Sequence, residues 1–436
     1  MNLNEIEFAL SKCVTASSSN LDLLAYARAV QQLRTGAMFT VACCELLPAA
    51  SSNNGKLYLV ENIQRVVFSN CLFWNPIATF STSGWTWGSN VFGQLGTNNT
   101  TNRSSPVQEI TLSTNWRQFS AAQHVVGLKN DGSLWAWGSA TCGKLGNNNT
   151  VDRSCPVREI SSSLNWCSVT AGGSFTAAVK SNNTLWLWGA GRCGQLAQNN
   201  LTSFSSPVQE ITSSTTWCIA SAGGHALAIK SDGTLWAWGS NAYGALGLND
   251  TIDKSSPIQE VTSSTNWCVI SAGSFLSVGL KNDGTLWGWG RNNDGQLGTN
   301  STSNASSPVR EISSSTTWCA ISAKLDTVAL KTNNTLWAWG LNACGSLGDN
   351  TTTSRSSPIQ EATSATTWCQ ISNSGSSNTT ALQTDGSLWA WGNGYSGQLG
   401  NNLTSNRLIP VREISSSSNW AQVVSGSSFT VARKII

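Results

Sequence analysis

From residue 80 onward the chain alternates apolar and small polar residues in short runs punctuated by Gly, Asn and Asp, which is the period of β-strands joined by tight turns. The most regular run is Trp-x-Trp-Gly. It occurs at Trp85/Trp87, Trp135/Trp137, Trp186/Trp188, Trp236/Trp238, Trp287/Trp289, Trp337/Trp339 and Trp389/Trp391, seven copies 50 to 52 residues apart. Residues two apart in a strand share a face, so both indoles lie on one side. The intervening residue, Ala136, Ala237, Ala338 or Ala390 with Gly288 smaller and Leu187 larger, lies on the other. One bulky face and one thin face suit sheets stacked around an axis.

The rest of the repeat supplies further strands. Upstream of six copies stand Asp131-Gly132, Asn182-Asn183, Asp232-Gly233, Asp283-Gly284, Asn333-Asn334 and Asp385-Gly386, which predict two-residue hairpin turns because Gly and Asn tolerate positive φ. A strand such as Phe175–Lys180 enters each hairpin, preceded by one led by Trp116, Trp166, Trp217, Trp267, Trp318, Trp368 or Trp420. Downstream, Gly-x-Leu-Gly predicts a tight loop that tucks its Leu under the sheet; the third copy ends in Ala197. Pro-Val-x-Glu or Pro-Ile-x-Glu at Pro106, Pro156, Pro207, Pro257, Pro308, Pro358 and Pro410 then predicts an edge strand, since proline cannot donate to a ladder on both sides.

The first Trp-x-Trp-Gly lacks a Trp-led strand before it, while residues 420–434 match the first half of a repeat and then stop. The two ends therefore complete one sheet. The expected fold is all-β, a seven-bladed β-propeller over residues 80–436 closed by N- and C-terminal strands in one blade.

Residues 1–79 form a separate, small α+β module on this reading. Ser19-Asn20 before Leu21, Leu23, Leu24, Ala27, Val30 and Leu33, then Gly36, predicts a capped amphipathic helix, and Leu3 to Cys13 a weaker one. Strands follow at 56–60 and 65–69. The run from Leu47-Pro48 through Tyr58 to Ser69-Asn70 and Trp74 resembles small β modules of tailed-phage virion and tail-fibre proteins.

Composition narrows the function. Charged residues are 11% of the chain and the net charge is +3. With no Lys/Arg run, neither nucleic-acid nor anionic-membrane binding is supported. No stretch is apolar over the ~20 residues that span a bilayer, and no signal peptide opens the chain. Of the 13 cysteines, Cys167, Cys218, Cys268, Cys319 and Cys369 share one repeated slot, which argues for inert core thiols over disulfides or metal ligands. No Walker loop, G-x-S-x-G, H-E-x-x-H or Ca2+ loop is present, so no enzyme is expected and no catalytic, cofactor-binding or metal residue is assigned.

The order A-G-x-x-H/S-x-x-A-L/V-K, D-G-x-L-W-x-W-G, G-x-L-G and S-P-x-x-E resembles the regulator of chromosome condensation repeat. The resemblance implies the propeller. It also implies functions as varied as a small-GTPase exchange factor, ubiquitin ligase modules, trafficking proteins and a plant ultraviolet-B photoreceptor, among which fold does not choose. The exchange factor's blade insertion has no counterpart in these evenly spaced repeats. Of the 22 tryptophans, all but Trp74 serve the repeat, which disfavours a photoreceptor. His124 and His225 fall on the family's His position, with Ser174, Ser274 and Asp326 as their counterparts, and are expected to be structural hydrogen-bonders.

Two functions fit. In the first, the chain is a structural or adhesion component of a virion or extracellular appendage: a homo-oligomer attached through residues 1–79, with host protein or glycan bound by loops such as 98–103, 147–153 and 300–306. The alternative is a cytoplasmic scaffold or regulator that binds a GTPase or another protein.

Overall fold

A computed structural model of the chain describes residues 39–41, 57–60, 65–69, 74–79 and 81–436. The two expected helices lie outside the described residues. The chain divides into two compact units, Ser83–Lys434 and Met1–Thr82 with Ile435–Ile436. In the smaller unit Phe39–Val41, Leu57–Val60, Arg65–Ser69 and Trp74–Thr79 form one sheet in that order. The first pair is parallel and the other two antiparallel, with Leu57 opposite Phe68.

The ring consists of seven four-stranded antiparallel sheets. Blade one runs from the axis outward as Trp116–Ala121, His124–Lys129, Leu134–Gly138 and Arg153–Arg158. Blades two to six repeat this pattern from Trp166, Trp217, Trp267, Trp318 and Trp368. Blade seven is composite: Trp420–Ser425 and Phe429–Ile435 supply the inner strands, Thr82–Gly88 and Arg103–Gln108 the outer ones. The Ser89 amide donates to the Ser428 carbonyl at 2.9 Å and the Ser83 hydroxyl to the Lys434 carbonyl at 3.5 Å, closing the circle.

Asymmetric faces drive the stacking, as the pattern predicted. Trp166 and Trp188 of blade two lie in one apolar cluster with Val126, Leu128, Leu134, Ala136 and Leu145 of blade one. The same arrangement recurs around the ring. Each indole must also place its N–H. Trp188 Nε1 donates to the Lys144 carbonyl at 3.0 Å, in the Gly-x-Leu-Gly loop of the preceding blade. That loop buries Leu145 completely, as do its sisters with their leucines. The closing glycine has a reason: at Gly96, φ is +66° and a Cβ would sit 2.9 Å from Trp137 Nε1. In the third copy Ala197 takes that place at φ 56°, buried. Left-handed backbone costs a non-glycine residue about 1 kcal/mol. Ala197→Gly should therefore raise the free energy of unfolding in urea by a fraction of that amount, the added unfolded-state entropy offsetting the rest; a lowered midpoint would show that the methyl's packing outweighs the strain.

Three sequence expectations need correction. The Asp-Gly turns are not two-residue loops. Lys129 N donates to Ser133 O and Gly132 N to Lys129 O, so Asn130, Asp131 and Gly132 all lie in the connection and positive φ is confined to Gly132. This is a three-residue hairpin in which the Asp anchors the turn: its Oδ1 accepts from the Ser133 amide and hydroxyl. The Ser133 hydroxyl accepts in turn from Trp135 Nε1 at 3.0 Å, which seats the first indole of the pair.

The shared cysteine slot is only partly core. Trp166 pairs with Lys180 and Ser168 with Val179, so Cys167 is the extra residue of a β-bulge and swings outward. Cys167 and Cys319 are exposed, and Cys218, Cys268 and Cys369 half-buried. Cys268 and Cys369 still pack against the apolar clusters, so the bulge sets the slot at the edge of the core, where Arg117 and Ala421 stand in the other two blades.

The third correction concerns the histidine position. His124 opposes Gly138, and Phe175, His225, Leu276, Asp326 and Asn378 oppose the equivalent glycines. Ser174 and Ser274 are therefore not its counterparts. An extra residue in the preceding turn shifts the count when it is made from the alanine, whereas strand register is set from the lysine end.

Candidate functional site

Seven internal copies separate what the fold demands from what it leaves open. The demands include residues whose purpose the sequence did not disclose. Glu109, Glu159, Glu210, Glu260, Glu311, Glu361 and Glu413 are all buried. Glu260 Oε1 accepts from Trp267 Nε1 and Ser264 N, both at 3.1 Å, while Oε2 accepts from Thr262 N at 2.7 Å. Each glutamate thus closes the crossover to the next blade on the Trp that begins it. The signal was available: the carboxylate precedes its Trp by seven residues in every copy.

A second such device is the lysine that ends the second strand. Lys180 Nζ stands 4.6 Å from Trp166 and 4.1 Å from Trp186, between the two indoles. Five other blades do the same, and Gln383 breaks the series.

Around the axis, hydroxyls tie neighbouring inner strands. Ser120 accepts from Ala171 N, Thr170 from Ala222 N, Ser221 from Ala272 N, Ser271 from Ala323 N, Ser322 from Asn373 N and Ser372 from Ser425 N. At the seventh interface Gln422 takes over, accepting from the Phe119 amide at 2.9 Å and donating to its carbonyl at 3.1 Å.

The histidines belong to this framework. His124 Nε2 lies 2.8 Å from Thr176 Oγ1, and that hydroxyl lies 2.8 Å from the Lys144 carbonyl, to which it donates. The imidazole must therefore be the donor, with Nδ1 a buried acceptor lacking a partner. His225 repeats the arrangement with Ser277 at 2.6 Å and the Ala245 carbonyl. The hydroxyl proton points at a carbonyl and not at the ring, so neither pair is a base-activated nucleophile. Burial holds both imidazoles below their usual range, His225 at about 3.

Asp326 is the exception at that position. Its Oδ1 accepts from Asn373 Nδ2 at 2.9 Å, while buried Oδ2 has no partner. Burial raises its carboxyl from 3.8 to about 6. Below the lower value the acid is neutral folded or unfolded; as pH rises through about 6, the folded state alone bears the cost of a buried charge. Stability should fall over that window by on the order of 3 kcal/mol. Asp326→Asn should remove that loss, and the difference between wild-type and variant unfolding curves at pH 4 and pH 8 isolates it from the opposite trend of the histidines. Equal stabilities at pH 8 would show that water solvates the charge.

The exposed aromatic side chains lie on one face, whereas Ile110, Ile160, Ile211, Val261, Ile312 and Ile414 are exposed along the crossovers of the other. The turns between first and second strands and the long connections between third and fourth emerge together on the first; hairpins and blade crossovers emerge on the other. Before the first Gly of Gly-x-Leu-Gly the seven copies read Phe92, Cys142, Cys193, Tyr243, Asp294, Cys344 and Ser396. Val91, Phe92, Tyr243, Phe275 and Tyr395 are exposed on this face, Tyr395 at 70%. The expected recognition loops 98–103, 147–153 and 300–306 also open onto it, and part of their polar capacity is spent within the loops: Asn99 Oδ1 accepts from Thr101 N and Asn149 Oδ1 from Val151 N. Among the described residues no group of His, Cys, Asp and Glu is placed to hold a metal, and no helix is long and apolar enough to cross a membrane.

Comparison with solved structures places the ring among known propellers. Yeast RCC1 (Prp20) bound to Kap60 superposes with a TM-score of 0.74 at 18% identity, over 82% of this chain and 90% of that one. Prp20p from Saccharomyces cerevisiae, described with its binding properties to Gsp1p and histones, gives 0.72 at 18% identity, over 82% and 92%. Human WBSCR16 gives 0.69 at 16%, over 81% and 99%. No curated protein sequence matches the chain. The family model described as the regulator of chromosome condensation (RCC1) repeat matches residues 85–127, 131–179, 232–280, 283–323 and 385–433, and a second model of that repeat matches 267–296. Because the matched copies cover more than half of the sequence and fall on the repeat that builds the blades, the chain belongs to the RCC1 repeat family.

Proposed function

We propose that this protein is a non-enzymatic, protein-binding scaffold or regulator of the cell, and that the face bearing the variable turns and long connections is its binding surface. One observation carries the reading: exposed aromatic and apolar side chains occupy, on that face, positions at which the seven copies disagree and which the fold does not need. Family membership supports it, as do relatives described in complexes with Kap60 or with binding to Gsp1p and histones. The same relatives favour this reading over the virion or appendage component, which rests on the resemblance at residues 47–74 and on the uniform, weakly charged repeats. The even repeat spacing supports a scaffold over a GTPase exchange factor, since no blade carries an insertion. Attachment through residues 1–79 remains compatible with this function, the module then serving to place the ring in a larger assembly.

Cross-linking mass spectrometry of the full chain in its native cells tests the proposal. Cross-links from the proposed face to one cellular protein are expected. Recovery of the chain in purified particles, cross-linked to capsid or tail proteins, would overturn it.

A further inference from the structure

Six blades hold a lysine ammonium in the corner between two indoles, its Nζ 4.0 to 5.2 Å from the ring centroids. Blade six builds the same corner and leaves the cation out. Its Trp368 and Trp389 rings stand 6.2 Å apart with their planes at 85°. The Trp166–Trp186 pair around Lys180 has 6.3 Å and 85°. Gln383 occupies the lysine position, and among the described residues no cation lies over either blade-six ring.

A second change accompanies the first. Lys129 Nζ donates to Ser113 Oγ at 2.8 Å and Lys434 Nζ to Ser417 Oγ at 2.7 Å. Serine holds that position in six copies, and blade six has Ala365. The cation and the hydroxyl that receives it are thus absent from one and the same blade, while the acidic groups remain. Burial pulls the Lys129 ammonium below its usual range, and the Glu109 and Asp131 carboxylates oppose that pull. Their equivalents in blade six are Glu361 and Asp385. Glu361 is buried and accepts from neutral donors, Trp368 Nε1, the Thr363 amide and hydroxyl, and the Ala365 amide.

Neighbouring side chains do not fill the role. Arg412, opposite Trp389 in the ladder, donates to the Ser416 and Ser417 carbonyls. Its counterparts Arg158 and Arg310 belong to blades that keep their lysine as well. Gln383 is neutral and ends one atom short of a lysine nitrogen, and its Oε1 accepts from Ser387 Oγ at 3.4 Å. Gln383, Ala365 and Trp389 are all half-buried, so the corner is reached from solvent at the hairpin end of the blade. Indole faces attract cations through their quadrupole, and two of them at right angles beside a buried carboxylate select a positive head over a neutral one. With Ala365 in place of serine, an N–H finds no hydroxyl there, which favours an ammonium carrying methyl groups.

We propose that the Trp368–Trp389 corner of blade six binds the alkylammonium head of a lysine side chain presented by a partner protein. The site lies on the hairpin face, opposite the surface assigned above, and goes beyond that reading.

NMR of the full chain labelled with 15N-tryptophan tests it, with Nα-acetyl-lysine amide, its Nε-trimethyl form and the uncharged Nα-acetyl-norleucine amide as probes. The Trp368 and Trp389 indole signals should move with both cations and not with norleucine. Tighter binding of the trimethyl form, which is expected, identifies methylated lysine as the natural ligand; tighter binding of the other identifies unmodified lysine. Gln383→Lys with Ala365→Ser gives blade six the residues of its sisters. It should weaken binding at least about tenfold, at a melting temperature no lower than that of the wild type. Indole signals that no lysine derivative moves, equal shifts in the double variant, or equal binding of norleucine would overturn the site. A lowered melting temperature of the double variant would also overturn it, since the corner would then be unable to house an ammonium.

Discussion

Removing residues 420–436 should abolish the cooperative unfolding transition of the ring. The deletion takes away both inner strands of blade seven, including Phe429–Ile435, the partner of Thr82–Gly88. Its cost exceeds one sheet. Without Trp420, the Glu413 carboxylate loses its indole donor, and without Gln422, both hydrogen bonds to the Phe119 backbone disappear. Phe429 and Val431, packed in one cluster with Trp116, Phe119 and Trp137 of blade one, leave as well. Two blades then present open faces of buried aromatic surface, in a domain whose net stability is of the order of only ~10 kcal/mol. Calorimetry and size-exclusion chromatography of the shortened chain should show a broad, non-cooperative melt and self-association. A sharp transition at the wild-type temperature would mean that six blades form a stable open arc and that closure contributes nothing to stability.

The second large effect is expected from the buried glutamates. Glu260→Ala removes the buried acceptor of the Trp267 indole N–H and of the Thr262 and Ser264 amides, and should cost ~3–5 kcal/mol. Glu260→Gln keeps the shape but presents an NH2 group where only donors converge, so roughly half that loss is expected. Because seven sites are equivalent, the measurement has an internal control: alanine at Glu159 or Glu311 should cost about as much as at Glu260. Urea unfolding of the three variants checks this. A loss below ~1 kcal/mol at all three would mean that the crossover relaxes to hydrate the stranded donors, and that the carboxylates are replaceable.

The molecule discloses its parts unequally to a reader of its sequence. Trp-x-Trp-Gly and Gly-x-Leu-Gly spell out blade number, strand alternation and closure because each answers a local demand, an indole to be buried or a backbone that must approach an indole. Cys167 and its sisters misled because a recurring small hydrophobe looks like core unless the bulge that expels it is known, and bulges follow from strand pairing, not from composition. Ser174 was matched to His124 because counting from the alanine ignores the register that the lysine, clamped between two indoles, imposes. The glutamates showed their spacing but not their purpose, since their donors come from another blade. The exposed aromatics were not legible as a surface: Phe92, Tyr243, Phe275 and Tyr395 became conspicuous only once the structure placed them on one face.

The repeat along the chain is out of phase with the blade: the copy at residues 131–179 supplies the outer half of one sheet and the inner half of the next. During synthesis, Ser83 of the strand Thr82–Gly88 emerges 351 residues ahead of Lys434 in its partner strand. At ~10 residues per second, the earlier strand waits about half a minute with one side unpaired. Any cell that makes this protein must shield a nascent β-edge for that interval, so chaperone demand is written into the phase of the repeat.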